Sequence, residues 1–343
     1  MPDAEMSRRS FLKAAALGAV AAVAGPRSLP DPDPALLRAH TSAWIEQEIA
    51  QAVLTARENQ LADFGGQAVF DRPVVRVADG DDELFKQFRD VVSSQHLMPR
   101  DVLRRFGKPD GDADEVRVIV WALPLTAAVR QSNTGPRWPS ELYNAAWARG
   151  KWVNFRLERR LTRMLHAQGW TAVVPAATEA YAVFRDPGRT ISSSWSERHV
   201  AYVAGMGQFG LRGCLITPVG VNVHLGSVVT TGPIQTSPRP YTNYAAPCLE
   251  QHGEGCGACI HKCPEGAISR DGLDKLKCLK MLRASKEHLQ QAHPESARPA
   301  RAPAAGSNRA DEEYSLGCGL CMCGVPCEAG IPGAPAAQKP AGA

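Results

Sequence analysis

Hydrophobic and polar positions alternate with clear periods only in the middle of the chain, and those periods predict most of its elements. "EVRVIVWALPL" (115–125) is a β-branched apolar run bounded by Pro124, the pattern of a buried strand. From Pro139 to Gln168 the pattern turns helical, with Leu142, Trp152, Leu157, Leu161 and Leu165 among the apolar positions, and Gly169 stops it. "WTAVVP" (170–175) reads as another strand. "SWSERHVAYVAGMGQFG" (194–210) opens on serines that can cap a helix and continues as one until glycines break it. "CLITP" and "VNVHLGSVVTT" follow as strands near or joined to the same sheet. Such alternation predicts an α/β layer whose last strand runs almost directly into a cysteine-rich region. The pattern divides the chain into 26–110, mixed and partly helical, 111–240, the α/β part, and 241–332, the cysteine region. In the first of these, "ALLRAHTSAWIEQEIAQAVLTAR" is the clearest amphipathic stretch.

Composition sharpens this in one respect. With 343 residues, 44% apolar and 22% charged, the chain is long enough for one large or two modest cores. Its formal net charge of +4 is spread out, so nothing points to nucleic acid as a partner. Nine histidines are scattered without an HExxH arrangement. Cysteine is the abnormal residue: there are ten, all but Cys214 lying between Cys248 and Cys327.

At the N-terminus, Ser7-Arg8-Arg9-Ser10-Phe11-Leu12-Lys13 precedes a small-residue apolar run from Ala14 to Gly25. That run is shorter than the roughly 20 residues a membrane span needs, and Ala22-Val23-Ala24 offers a cleavage site. The segment 1–25 resembles a twin-arginine export signal. Its removal would take one positive unit and place the protein in the periplasm or on the outer face of the cytoplasmic membrane. Exported proteins usually spend cysteine on disulfides, but a route that carries proteins already folded around their cofactors leaves thiols free for metal.

"CGACIHKCP" (256–264) and "CGLCMCGVPC" (318–327) are poor disulfide frameworks and good cluster-binding loops. Short steps between cysteines let a tight loop aim several thiolates at one small body while backbone N–H groups point at its sulfides. The bacterial ferredoxin run is C-x2-C-x2-C-x3-C-P, and Cys256, Cys259, Cys263 and Pro264 reproduce its last three cysteines and proline. Gly253 stands where the first cysteine belongs, and Cys248 is the nearest replacement. "DGLDKLKC" puts Cys278 at the end of a short helical stretch, and "HPESARPARAPAAGSNRA" (293–310) reads as a surface insert. Two [4Fe–4S] clusters suit nine cysteines best. A single cluster, a zinc ribbon or disulfides are the competing readings.

"GWTAVVP", then "ERHVAYVAGMGQFGLRGCLITPVGVNVHLGSVVTT", then cysteines, resembles the reductive dehalogenase and epoxyqueuosine reductase superfamily over roughly 110–330. The shared "AGLG-x-x-G-x-x-G-LITP-x-G" stretch is matched by Ala204-Gly205-Met206-Gly207, Gly210, Gly213 and Leu215 to Pro218, and a D-x3-C spacing by Asp274 and Cys278. The resemblance implies a nitroreductase-like α/β domain that binds a corrinoid (cobalamin), beside a small ferredoxin-like α+β domain with two [4Fe–4S] clusters. It assigns Cys248, Cys256, Cys259 and Cys327 to one cluster and Cys263, Cys278, Cys318 and Cys321 to the other. The slot for the last ligand falls on Val325, leaving Cys323 and Cys327 as rivals, with Cys327 preferred. Gly205, Gly207, Gly210 and Gly213 would let backbone approach the corrinoid.

The proton donor of epoxyqueuosine reductases falls on Ile191, with Asp186 nearby but out of register, which disfavours that branch. Dehalogenases use a tyrosine with a basic neighbour, for which Tyr181, Tyr202 and Arg212 are the nominees. His199 fits a capping or core role better than a cobalt ligand. The expectation is therefore an exported, corrinoid-dependent iron–sulfur oxidoreductase of the dehalogenase type, reducing a small organohalide or similar molecule. Its expected partners are an upstream electron donor and a membrane anchor subunit. The alternatives are a corrinoid-free periplasmic electron-transfer protein and, less favoured, an epoxyqueuosine reductase relative.

Overall fold

A computed structural model describes residues 33–107, 115–185, 191–245, 247–292 and 317–333. The export segment, Asp186 and the insert 293–310 lie outside the described residues. Helix α1 (Pro34–Leu54) begins with Pro34 behind Asp33, whose Oδ1 accepts the Ala35 N–H at 2.9 Å. Thr41, Ile45, Ile49 and Val53, four residues apart, form its buried stripe. Strand β1 (Val74–Asp79) and helix α2 (Leu84–Val91) follow, and then β2 (Arg117–Pro124), all of whose residues are buried. The 27-residue helix α3 (Glu141–Ala167) starts at Ser140, whose Oγ accepts the Tyr143 N–H, and buries Tyr143, Val153, Leu157, Leu161 and Leu165. Trp152 lies off that face, edge-on to Phe155.

The sheet is mixed into this helical framework in the order β1-β2-β4-β3, where β3 is Ala172–Val173 and β4 is Val223–Thr230. Every pairing is antiparallel, with Val75 opposite Trp121, Ser227 opposite Val120 and Thr230 opposite Ala172. Because side chains alternate along a strand, β2 serves two cores at once. Ile119, Trp121 and Leu123 pack with α1 and α3, whereas Val118, Val120 and Ala122 pack with α2 and α4 (Glu197–Val203). Coverage on both faces explains why the run in β2 is continuously apolar rather than alternating. The architecture is thus mixed α/β, as the patterning predicted.

Three local expectations are corrected. The helix read over 194–210 ends at Val203. There Gly205, at φ +75°, sends its N–H to the Tyr202 carbonyl, and Met206 sends its own to Ala201, closing the helix with a left-handed glycine. The "CLITP" strand does not join the sheet: Leu215–Ile216 pairs with Gln208–Phe209 in a separate hairpin. Cys278 sits in the first turn of the 18-residue helix α5 (Lys275–Ala292), not at the end of a short one. The cause is Asp274, whose Oδ1 accepts the Leu276 and Lys277 N–H groups at 2.9 and 3.0 Å and caps α5 just ahead of the cysteine.

The second core holds an ionisable group that patterning did not single out. Glu197, first residue of α4, has a buried Oε2 with no hydrogen-bond partner, and burial pushes its carboxyl up to about 7, against the pull of Ser227 and Trp195. A carboxyl that binds its proton more tightly folded than unfolded stabilises the fold below the ordinary carboxylate range. That contribution is lost as pH rises toward 7. His96 and His199 titrate the other way, pushed down by burial to about 4 and about 3. Glu197→Gln is expected to abolish the fall attributable to the carboxyl: between pH 5 and pH 7 the wild type should lose stability relative to the variant. Urea-unfolding midpoints of the two proteins across that range check this, since the histidine contribution is common to both.

Candidate metal centre

Strand β4 hands the chain to a crossing segment that ends at Cys248. The loop from Cys248 to Gly257 is closed by Glu250, whose carboxylate accepts the Gly257 N–H at 2.7 Å and pairs with Arg270 at 2.9 Å. Cys259 lies in the short helix Ala258–His261, and Cys263 follows it, receiving the Ala267 N–H on Sγ at 3.2 Å. On the other side, the Leu211 N–H reaches Cys248 Sγ at 3.4 Å. Cys278 enters from α5. Cys318, Cys321, Cys323 and Cys327 come from the segment 317–333, with Cys321 in the 3-10 turn Leu320–Met322.

All ten cysteines are free thiols. Their electrostatic neighbours sort most of them into two groups. Burial raises Cys259 above an ordinary thiol, opposed by Arg212 and reinforced by Cys248 and Cys256. Burial pushes Cys327 up to about 11, again against Arg212, with Cys259, Cys214 and Cys248 adding to it. In the other group, burial takes Cys278 up to about 11 with Cys214 and Cys263 beside it, and Cys318 up to about 12 with Cys278 and Cys263 beside it. Cys321 is raised as well, by burial first, with Cys214, Cys318 and Cys278 as its thiol neighbours. These influences link Cys259 and Cys327 with Cys248, Cys259 also with Cys256, Cys278 and Cys318 with Cys263, and Cys321 with Cys278 and Cys318, while Cys321 also packs on the same small core (Ile216, Val221, Met322) as Cys248 and Cys327.

Two cysteines remain. Cys323 is fully buried in the main core, where Asn133 Nδ2 donates to its Sγ at 3.6 Å and the thiol faces Asn222 Oδ1 at 3.7 Å. It is accommodated by amide groups, whereas Cys327 stands with the first group. Cys214 was left apart by its position in sequence, yet the fold brings it between the groups. It packs with Cys248, Cys321 and Cys327, and its Sγ lies 3.9 Å from Met322 Sδ. No spacing rule signals this; only the glycine-rich turn that carries it could have drawn attention.

The α/β part holds the 317–333 segment through residues that motif reading missed. Asn133 donates to the Cys318 carbonyl at 3.0 Å, Asn222 to the Met322 carbonyl at 2.7 Å, and the Val221 N–H to the Cys327 carbonyl at 3.1 Å. Arg130 pairs with Glu328 at 3.2 Å. Arg212 is 4% exposed; its Nη1 donates to the Cys321 carbonyl, and its Nη2 has no partner.

The other nominated residues are placed differently. Tyr202, 9% exposed, has its ring against Phe209 and Tyr241, and Tyr181 packs on the same core cluster, whereas Arg212 is buried beside the thiols. His199 accepts or donates a 2.7 Å hydrogen bond with Ser196 Oγ and packs on Phe88 and Phe209, a core role. Ile191 is half-buried, and its carbonyl accepts a hydrogen bond from Lys275. A side chain at Gly205 would meet the Pro238 carbonyl at 2.3 Å, one at Gly207 the Ile216 carbonyl at 2.3 Å, and one at Gly210 the Ile216 side chain at 3.2 Å. The chain's own packing therefore accounts for these three, while Gly213 faces open space. A cleft of about 650 Å³, lined in part by Leu211, Tyr244, Glu250 and Arg270, opens beside the Cys248 loop.

The residues fit iron–sulfur clusters on two observations: the donor sets are all thiol, and a buried guanidinium with an unused N–H lies among them. Among the described residues no three His, Cys, Asp or Glu converge on a single ion.

No protein-family model matches the chain. An epoxyqueuosine reductase of Bacillus cereus is 33% identical over 122 residues, 34% of this chain. The match spans only 30% of that relative's length. Among solved structures, an epoxyqueuosine reductase from Bacillus subtilis aligns with a TM-score of 0.40 and 15% identity, over 85% of this chain and 67% of that one. A reductive dehalogenase studied for its B12-dependent dehalogenation aligns with a TM-score of 0.40 and 14% identity, over 60% of this chain and 26% of that one. The chain is similar to the epoxyqueuosine reductase and reductive dehalogenase superfamily. These relatives are oxidoreductases.

Gly220 is the hinge of this arrangement. It has φ +86°, and a Cβ there would stand 2.1 Å from the Glu328 carbonyl. Gly220→Ala is expected to push the 327–329 segment outward. In metal-free protein, Cys327 should then react several-fold faster with iodoacetamide, read by peptide mass spectrometry, while Cys323 stays protected.

Proposed function

We propose that the chain is an iron–sulfur oxidoreductase carrying two [4Fe–4S] clusters. Cys248, Cys256, Cys259 and Cys327 would hold one, and Cys263, Cys278, Cys318 and Cys321 the other. The observation that supports this reading is the set of half-buried thiols that influence one another across the fold, with Cys323 buried against amide partners instead. Clusters bound there would supply one-electron transfer at potentials set by their surroundings.

The chain's part is to hold the thiolates, exclude water and place N–H groups on the sulfurs, as Leu211 and Ala267 do for Cys248 and Cys263. Asn133 and Asn222 keep the C-terminal thiols in register with the N-terminal ones. The cleft beside Cys248 is the natural approach for an external electron donor. Thiols in this number, in an exported protein, favour the folded-export route that segment 1–25 resembles.

Similarity to the relatives above favours a second reading, in which the α/β part also takes a corrinoid and reduces a small organic substrate such as an organohalide. Gly205, Gly207 and Gly210 do not supply its cradle, since their faces are filled by Pro238 and Ile216.

Anaerobic purification with metal analysis tests both readings. About eight irons per chain are expected for two cubanes. One cobalt per chain would add the corrinoid, and iron-free, colourless protein would end the proposal. Cys327→Ala should lose iron from one cluster, while Cys323→Ala should retain the full complement; the reverse result would exchange the two assignments.

A further inference from the structure

Arg212 is the charged side chain that the two thiol groups share. It is 4% exposed, on the glycine-rich turn after α4, and no carboxylate is among its hydrogen-bond or charge partners. Its Nη1 is anchored to the Cys321 carbonyl, in one group, and its charge acts on Cys327 and Cys259, in the other. Nη2 is buried without any hydrogen-bond partner. Leaving a guanidinium N–H unmet in a core is costly, and an uncompensated buried cation more so. Four thiolates around a cubane give a net negative body rich in acceptor sulfur. An anion on either side resolves both costs, and Cys214 lies beside the guanidinium, which hydrogen-bonds it and lowers its thiol below the ordinary range.

We propose that Arg212 is a positioning residue that raises the reduction potential of both clusters by standing between them as a fixed, water-excluded positive charge. The inference rests on the two-cluster reading above. Reduction adds one electron to each cluster and makes it more negative, so a fixed cation favours the reduced state; in low dielectric that attraction is weakly screened. Net charge and hydrogen bonds to sulfur are established determinants of cluster potential. Arg198 also acts on Cys214 and Cys278, but it is exposed to solvent, which screens its charge.

The test is a potentiometric titration followed by EPR. Dithionite supplies the electrons, mediators equilibrate them, and wild type is compared with R212M, R212Q and R212K. Both neutral variants, iron-loaded, should show each cluster shifted to lower potential by at least tenfold in its one-electron equilibrium, about 59 mV. R212K, which keeps the charge, should recover most of that shift. Unchanged potentials in iron-loaded R212M or R212Q overturn the inference. So does an equal fall in all three variants, which would assign the effect to geometry rather than charge. Loss of iron from both neutral variants also overturns it, because the residue would then build the site instead of setting its potential. Wild-type protein that binds no iron fails the two-cluster reading itself, and is thereby distinguished from failure of Arg212 alone.

Discussion

Bringing closely spaced, half-buried thiols from distant parts of the chain beside one another is the constraint around which the rest of this molecule is arranged. Burial favours the neutral thiol, as the raised values at Cys278, Cys318, Cys321 and Cys327 show. A ligand that needs thiolates must therefore supply enough binding energy to displace those protons. The protein lowers that demand by enclosing Arg212 with them, and by turning backbone N–H groups onto sulfur.

The α/β part serves this constraint mechanically. A strand buried on both faces, clamped by α1 and α3 on one side and by α2 and α4 on the other, gives β4 a fixed edge. Asn222 precedes β4, and Asn133 ends the short helix Ala127–Ser132; both reach the backbone of the 317–333 segment. Tyr143, at the head of α3, fits against Gly319 and donates to Asn222 at 3.1 Å. The main core and the thiol groups are thus joined by hydrogen bonds to backbone, which position without competing for sulfur.

How much of this was visible beforehand differs by element. The strand at 117–124 and the helix at 141–167 were legible because their periodicity is imposed by a core that runs their full length. The strand at 172–173 was legible as well, but the sheet membership of 215–216 was not, because so short a stretch carries no period to separate sheet from hairpin. Helix α5 was underestimated because its signal is a single capping residue, Asp274. Among site residues, the spacing of Cys256, Cys259 and Cys263 announced metal chemistry, since a tight loop leaves few other uses for such thiols.

The sequence by itself determined the chemistry: a surplus of closely spaced cysteines, a glycine-broken turn and an α/β alternation, all readable from local rules. Which thiols stand together was decided only by tertiary structure. Cys323 and Cys327 are four residues apart and chemically identical, yet one faces Asn133 and Asn222 in the core while the other stands beside Cys248 and Cys259. Cys214 and Arg212 likewise gain their place from chain that arrives about a hundred residues later. Local sequence encodes backbone preference and donor type, but proximity between distant segments is a property of packing, which spacing along one strand cannot carry.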